Sequence, residues 1–212
     1  MYNIGVHPQR LVGSYAITFG RCILMGQKGD KILAERRILP FGDPILRKIS
    51  KPVTGIDSKL LNLLGDLVDT LYATDGRAGL AAPQIGSLKR IVVMDCGKGL
   101  IELINPEMIE MQGEQIGPEA CLSLPDYTGF VKRAQYVKIK AINRRGQSYF
   151  LEGEDFLARC IQHEMDHLEG VLFIDRIQGN ALVHDQTRQK VNVRDVPGFM
   201  ATGIGNPLSL KK

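Results

Sequence analysis

The chain has no run of 18 apolar residues, so nothing in it reads as a helix long enough to span a bilayer. It has no block of five like charges. The net charge is only +4, from 27 basic and 23 acidic residues. The scattered Lys and Arg read as a solvated surface, with a nucleic-acid- or ribosome-facing patch as the alternative. The four cysteines, Cys22, Cys96, Cys121 and Cys160, form no C-x-x-C pair and no dense framework, which fits a reducing compartment. No repeat or low-complexity linker divides the chain. With 44% hydrophobic residues in 212, one domain with a real core is the expectation. There are only four histidines, and two of them fall in one short pattern.

That pattern is His163-Glu164-Met165-Asp166-His167, an H-E-x-x-H. Residues four apart on a helix share a face, so His163 and His167 can grip one divalent metal. Glu164 can then reach a water bound to that metal. The flanks predict a helix: Phe156, Leu157, Cys160, Ile161 and Leu168 form an apolar stripe, and Gly170 is a natural stop. A catalytic site of this type wants a third protein ligand. A further histidine downstream would fall at position 173, which is Phe173. His7 lies in an unpatterned N-terminal stretch and His184 in a polar one. The better candidate lies upstream, in Gly117-Pro118-Glu119-Ala120-Cys121-Leu122-Ser123-Leu124-Pro125.

Glu119-Ala120-Cys121-Leu122-Ser123, followed about 40 residues later by the H-E-x-x-H, resembles the peptide deformylase family. The family's remaining motif, G-φ-G-φ-A-A-x-Q, has its counterpart in Arg77-Ala78-Gly79-Leu80-Ala81-Ala82-Pro83-Gln84. The resemblance runs from Ile38 to about Arg176. It implies metal ligands Cys121, His163 and His167, and Glu164 as general base and acid for a metal-bound water attacking a formyl carbonyl. It implies that the Gln84 side chain and the Leu122 backbone N–H receive the oxyanion. The substrate it implies is an N-formylmethionyl peptide or nascent chain, its peptide extended along Ala78–Gly79 and past Ala120. Phe156 and Cys160 are candidates for the methionine pocket, with core packing as their alternative role. Cysteine and histidine ligands by themselves suit zinc. The resemblance implies Fe(2+), one per chain, with Zn, Ni or Co found in isolated protein. Transient ribosome contact would suit such an enzyme, although no residue argues for it. No specific nucleic acid, no membrane and a monomer are expected. Arg77 and Ala78 replace the motif's first glycine and apolar residue, and Ala120 replaces the glycine before the ligand cysteine. Two other functions compete: a metallopeptidase of the broader H-E-x-x-H kind, and a deformylase-like binding protein without turnover.

In chain order, residues 1–36 form an N-terminal extension outside the resemblance. They contain no acidic residue before Asp30. Three readings stand: an upstream start, with Met25 nearer the true one; a genuine extension; or an organellar presequence. The location is the bacterial cytoplasm, or an organelle if the third holds. Residues 37–177 form the deformylase-like domain. Within it Ile38–Val53 reads as extended, and residues 57–74 as a helix capped by Asp57 or Ser58, with Leu60, Leu61, Leu64, Leu67, Val68 and Leu71 inward. Gly79–Gly86 reads as a loop. Strands are expected at 90–95, 101–104, 107–115 and 136–142, with 148–151 closing a hairpin around Asn143–Gly146. The expected class is α+β: antiparallel β-sheets packed around a central metal-binding helix carrying the H-E-x-x-H. Residues 178–212 read as an irregular tail.

Overall fold

The computed structural model describes residues 35–199. The readings of residues 1–34 and of the last thirteen residues, including those on His7, Cys22 and Met25, lie outside it.

The first helix, α1 (Ser58–Tyr72), starts where Asp57 supplies a cap: its Oδ1 accepts from the Leu60 N–H at 2.8 Å. Leu60, Leu64, Leu67 and Leu71 repeat at helical spacing and are buried against Leu80, Ile91, Val93 and Ile104. Leu61 is exposed, contrary to expectation. It lies about 100° round the helix from Leu60, beyond the stripe those four leucines already fill.

Among the described residues, nine strands follow in two antiparallel sheets. One runs in the order β1 (Gly79–Ala81), β2 (Ile91–Met94), β3 (Ile101–Gln112), β6 (Tyr136–Ile142), β7 (Ser148–Glu154). The other runs β4 (Gln115–Cys121), β5 (Leu124–Arg133), β8 (Ala181–His184), β9 (Lys190–Asn192). β1 and β4 are therefore both edge strands. The second helix, α2 (Asp155–Leu168), lies on the first sheet, where Ala158, Ile161 and Leu168 pack with Val92, Met94, Leu103, Val137 and Ile139. A separate cluster, built on Leu124, Val131, Phe173, Ile174 and Leu182, backs the second sheet. Almost every position of α2 from Ala158 to Leu168 is buried, polar ones included. Buried polar groups need partners, and in α2 these partners build the site.

The α+β class with antiparallel sheets stands, but four local readings change. The stretch at Gly79–Gly86 is no loop: it forms β1 and a 3-10 turn, Ala82–Ile85. Residues 38–53 contain a 3-10 turn, Pro44–Arg47, because Asp43 caps it by accepting from the Ile45 N–H at 2.9 Å. The two strands expected at 101–104 and 107–115 are one long β3, interrupted by irregular register around Asn105, whose φ is +49°. The tail is not irregular in its described part. β8 pairs with β5 through Thr128–Val183 and Tyr127–His184, and Leu182 is fully buried. The strands are three and four residues long, too short for alternation to show in the sequence.

Candidate metal centre

Three donors meet where the end of β4 faces the middle of α2. Residues two apart on a strand share a face, and Glu119 and Cys121 are both buried. His163 and His167, one turn apart on α2, are buried opposite them. Cys121 Sγ lies 3.3 Å from His167 Nε2. One donor atom from each of Cys121, His163 and His167 lies within 4.8 Å of the others, the one such group among the described residues. Burial alone would push the Cys121 thiol up, but His167 and His163 outweigh it and hold the thiol well below its ordinary value. A thiolate and two imidazoles form a donor set that fits a zinc- or iron-like divalent ion.

His163 is oriented from behind. Its Nδ1 sits 3.0 Å from Glu119 Oε2, which leaves Nε2 for the metal side. Burial would raise the Glu119 carboxyl, yet hydrogen bonds from Arg133 and His163 lower it to about 2. Arg133 grips both carboxylate oxygens, at 2.8 and 2.9 Å, and Arg159 donates at 2.8 Å. Arg133 also reaches Asp166 of α2 at 2.6 Å. A buried chain of alternating charge thus ties β4, β5 and α2 together behind the histidines.

Glu164 is on the same helix, 5% exposed. Burial raises its pKa, with His163 and His167 opposing. Its Oε2 is buried without a hydrogen-bond partner among the described residues, as expected of a group that serves a ligand. The other oxygen lies against Gly79: a Cβ built there would stand 2.4 Å from Glu164 Oε1. Gly79 has no positive φ, so glycine is required there by space for Glu164 and not by backbone conformation.

A cavity of about 570 Å³ opens over this arrangement. Of the expected substrate contacts, Ala78, Gly79, Ala120, Phe156 and Cys160 all line it. So do Gln84, Leu122 and Glu164, with Cys121 and His163. His167 lies behind the wall, 1% exposed. Gln84 is held by its Oε1, which accepts from the Ala81 N–H at 2.9 Å, and its Nε2 sits 3.6 Å from Cys121 Sγ. Leu122 occupies the turn between β4 and β5. A larger, open hollow of about 990 Å³ lies along the Gln162–Glu169 flank of α2 and holds none of the three donors.

The sequence profile described as Polypeptide deformylase matches residues 35–182. The chain belongs to the peptide deformylase family. Its relatives include the peptide deformylase of Caldanaerobacter subterraneus subsp. tengcongensis, 54% identical over 145 residues, which are 68% of this chain and 91% of that protein. The peptide deformylase of Heliobacterium modesticaldum is 52% identical over 148 residues, 70% and 97% of the two chains. Among solved structures, the Thermotoga maritima peptide deformylase superposes with a TM-score of 0.67 at 44% identity, covering 69% of this chain and 99% of that one. Peptide deformylases are metal-dependent enzymes that remove the formyl group from N-terminal formylmethionine, and this is the function of the chain.

The departures at Arg77 and Ala120 from the deformylase motifs are accommodated. Arg77 turns its guanidinium to the Thr70 carbonyl in the last turn of α1 and to Glu35 at 3.2 Å. It serves there as a C-terminal cap. Ala120 has no positive φ, so the family glycine's conformational freedom is not needed. Sequence reasoning missed the partners of His163. Glu119 was legible as the residue two before Cys121 on one strand face. Arg133, Arg159 and Asp166 carried no local signal.

Proposed function

We propose that Cys121, His163 and His167 hold one divalent metal and that Glu164 is the acid–base group of deformylation. The observation that best supports this is the Glu164 carboxylate, buried beside the three donors with Oε2 unpartnered and its pKa raised. When bound, the metal would activate a water and polarise the formyl carbonyl. Glu164 takes the proton of the attacking water and returns it to the leaving amine. A carboxyl raised by burial suits both transfers. The Gln84 Nε2 side and the Leu122 N–H receive the developing oxyanion, each worth about 2.7–4 kcal/mol of transition-state stabilisation.

β1 and β4 are both sheet edges, and both contribute to the cavity wall through Gly79 and Ala120. An extended N-formylmethionyl peptide would add alongside such an edge, its backbone giving affinity that tolerates many sequences. Phe156 is 56% exposed, not core-packed, and with Cys160 it supplies an apolar wall for the methionine side chain. The metal in the cell is Fe(2+), with Zn, Ni or Co replacing it in isolated protein. The enzyme works as a cytoplasmic bacterial monomer on nascent chains, touching the ribosome transiently. Its catalytic domain begins near residue 37.

The metallopeptidase reading would need a downstream histidine or glutamate as its third ligand; the adjacent glutamate, Glu169, pairs instead with Arg90 at 2.5 Å. The Cys121→Ser variant tests the ligand set. Protein purified anaerobically from its native cells should carry one iron per chain, and the variant almost none. Retention of the metal by the variant would remove Cys121 from the set, and zinc alone in the parent would overturn iron.

A further inference from the structure

Arg77 stands where the deformylase motif has its first glycine, and its side chain belongs to two hollows at once. It lines the substrate cavity together with Asp75, Gly76, Ala78 and Gly79. It also lines a smaller hollow of about 460 Å³, whose other walls are Glu35, Arg36, Arg37, Ile38 and Leu122. Ile38, Arg77 and Leu122 are common to both, so the smaller hollow opens off the substrate cavity.

The course of β1 leads a substrate toward that opening. Glu164 Oε1 lies against Gly79, and Gln84 is held by the Ala81 N–H at the far end of the strand. A peptide that follows β1 away from these groups passes Ala78 and then Arg77. A strand rises about 3.3 Å per residue, so with the methionine level with Gly79, the second and third residues come level with Ala78 and Arg77.

The charge there is of one sign. Of the four charged walls of the smaller hollow, three are arginines. Arg36 is held by Asp66, at 2.9 Å from Nε and 2.7 Å from Nη2. Arg37 is exposed and has no ion pair among the described residues. Arg77 uses only Nη1, for the Thr70 carbonyl and for Glu35 at 3.2 Å. Its Nη2 and Nε have no hydrogen-bond partner among the described residues, although the side chain is only 16% exposed. Asp75 lines the substrate cavity but not this hollow. The walls thus keep an excess of positive charge after Asp66 and Glu35 are counted. A largely buried guanidinium with one edge free is suited to a carboxylate, which takes two parallel N–H donors.

We propose that Arg77, with Arg37 on the same hollow, makes this chain select formylmethionyl peptides that carry an acidic side chain at the second or third residue. The inference rests on the placement of the peptide along β1 given above. The carboxylate accepts from Arg77 Nη2 and Nε, and Arg37 adds its field. A lysine at the same place meets like charge. Arg77 acts here on specificity and takes no part in the chemical step.

The test uses full-length Glu164→Ala loaded with nickel, so that binding is read without turnover. The peptides are amidated at the C-terminus, so that no terminal carboxylate competes. Calorimetric titration compares formyl-Met-Asp-Ser-amide with formyl-Met-Asn-Ser-amide, and formyl-Met-Ala-Asp-amide with formyl-Met-Ala-Asn-amide. At least one aspartyl peptide should bind about two- to fivefold tighter than its asparaginyl counterpart at low salt. The ratio should fall toward one in concentrated salt, which needs no further variant. Arg77→Gln keeps an amide donor for the Thr70 carbonyl, and in the same background it should abolish the ratio. Reading a ratio cancels any general weakening of the site. Equal binding within both pairs, a preference that salt leaves unchanged, or one that survives Arg77→Gln would overturn the inference alone. Absence of binding by every peptide, neutral ones included, would overturn it together with the placement of the peptide on β1.

Discussion

Replacing Gly79 with alanine should cripple catalysis without unfolding the protein. The new Cβ would stand 2.4 Å from Glu164 Oε1, 2.8 Å from its Cδ and 2.9 Å from its Cγ. No carbon–oxygen contact holds at that distance, so the Glu164 side chain must move. The backbone would not resist, because Gly79 has no positive φ. Alanine there should even reduce the freedom of the unfolded chain, worth roughly 0.4–1 kcal/mol of stability. The cost therefore falls on the acid–base group. Misplacing such a group costs about 10²- to 10³-fold in kcat, within the range general acid–base catalysis supplies. That loss corresponds to about 3–4 kcal/mol of barrier. The assay is steady-state formate release by Gly79→Ala, Glu164→Ala and the double variant, with thermal melts and metal content beside it. Gly79→Ala should melt near the parent temperature and keep its metal. In the Glu164→Ala background it should cost almost nothing more, because both changes act through one carboxylate. An undiminished kcat, or a full additional loss in the double variant, would refute the argument.

Three further outcomes follow from the same geometry. Glu119→Gln leaves Arg133 and Arg159 facing a neutral amide in a buried site, and urea unfolding should show a loss of about 3–5 kcal/mol. The Glu119 carboxyl is lowered from 4.5 to about 2 in the folded chain, so its contribution is complete above 4.5 and lost as pH falls toward 2. The parent should therefore lose stability over that interval, and Glu119→Gln should lose less there. Phe156→Ala removes a half-exposed apolar wall: KM for a formyl-Met peptide should rise about tenfold, while stability should change by less than about 0.5 kcal/mol; a large fall in melting temperature would instead make Phe156 a core residue.

Much of the site was legible because its chemistry is local. The spacing of His163 and His167 requires a helix to make sense, and α2 is that helix. The Cys121 segment was found by asking what third ligand the pair lacked. What stayed hidden was long-range or sterically defined. Arg133 and Arg159 reach Glu119 across strands and a helix, and neither has a sequence neighbour that reveals the pairing. Gly79 was read only as backbone for an extended peptide, whereas its missing side chain makes room for Glu164. Nothing around Arg77 in the sequence shows that its guanidinium reaches the end of α1. In the fold, α1 was clear from leucine spacing, except that Leu61 lies just beyond the stripe. β8 and β9 escaped because strands of three and four residues derive their order from the edge of β5 and from burial of Leu182, neither of which a short segment shows alone.

The central claim is that this metal centre deformylates with Glu164 as its acid–base group. The most direct test is formate release from a formyl-Met tripeptide, using full-length protein purified anaerobically with iron, beside Glu164→Ala at equal metal content. Rapid release by the parent and almost none by the variant is the predicted result. Equal release by both would contradict the role of Glu164, and no release from the fully metallated parent would contradict the site itself.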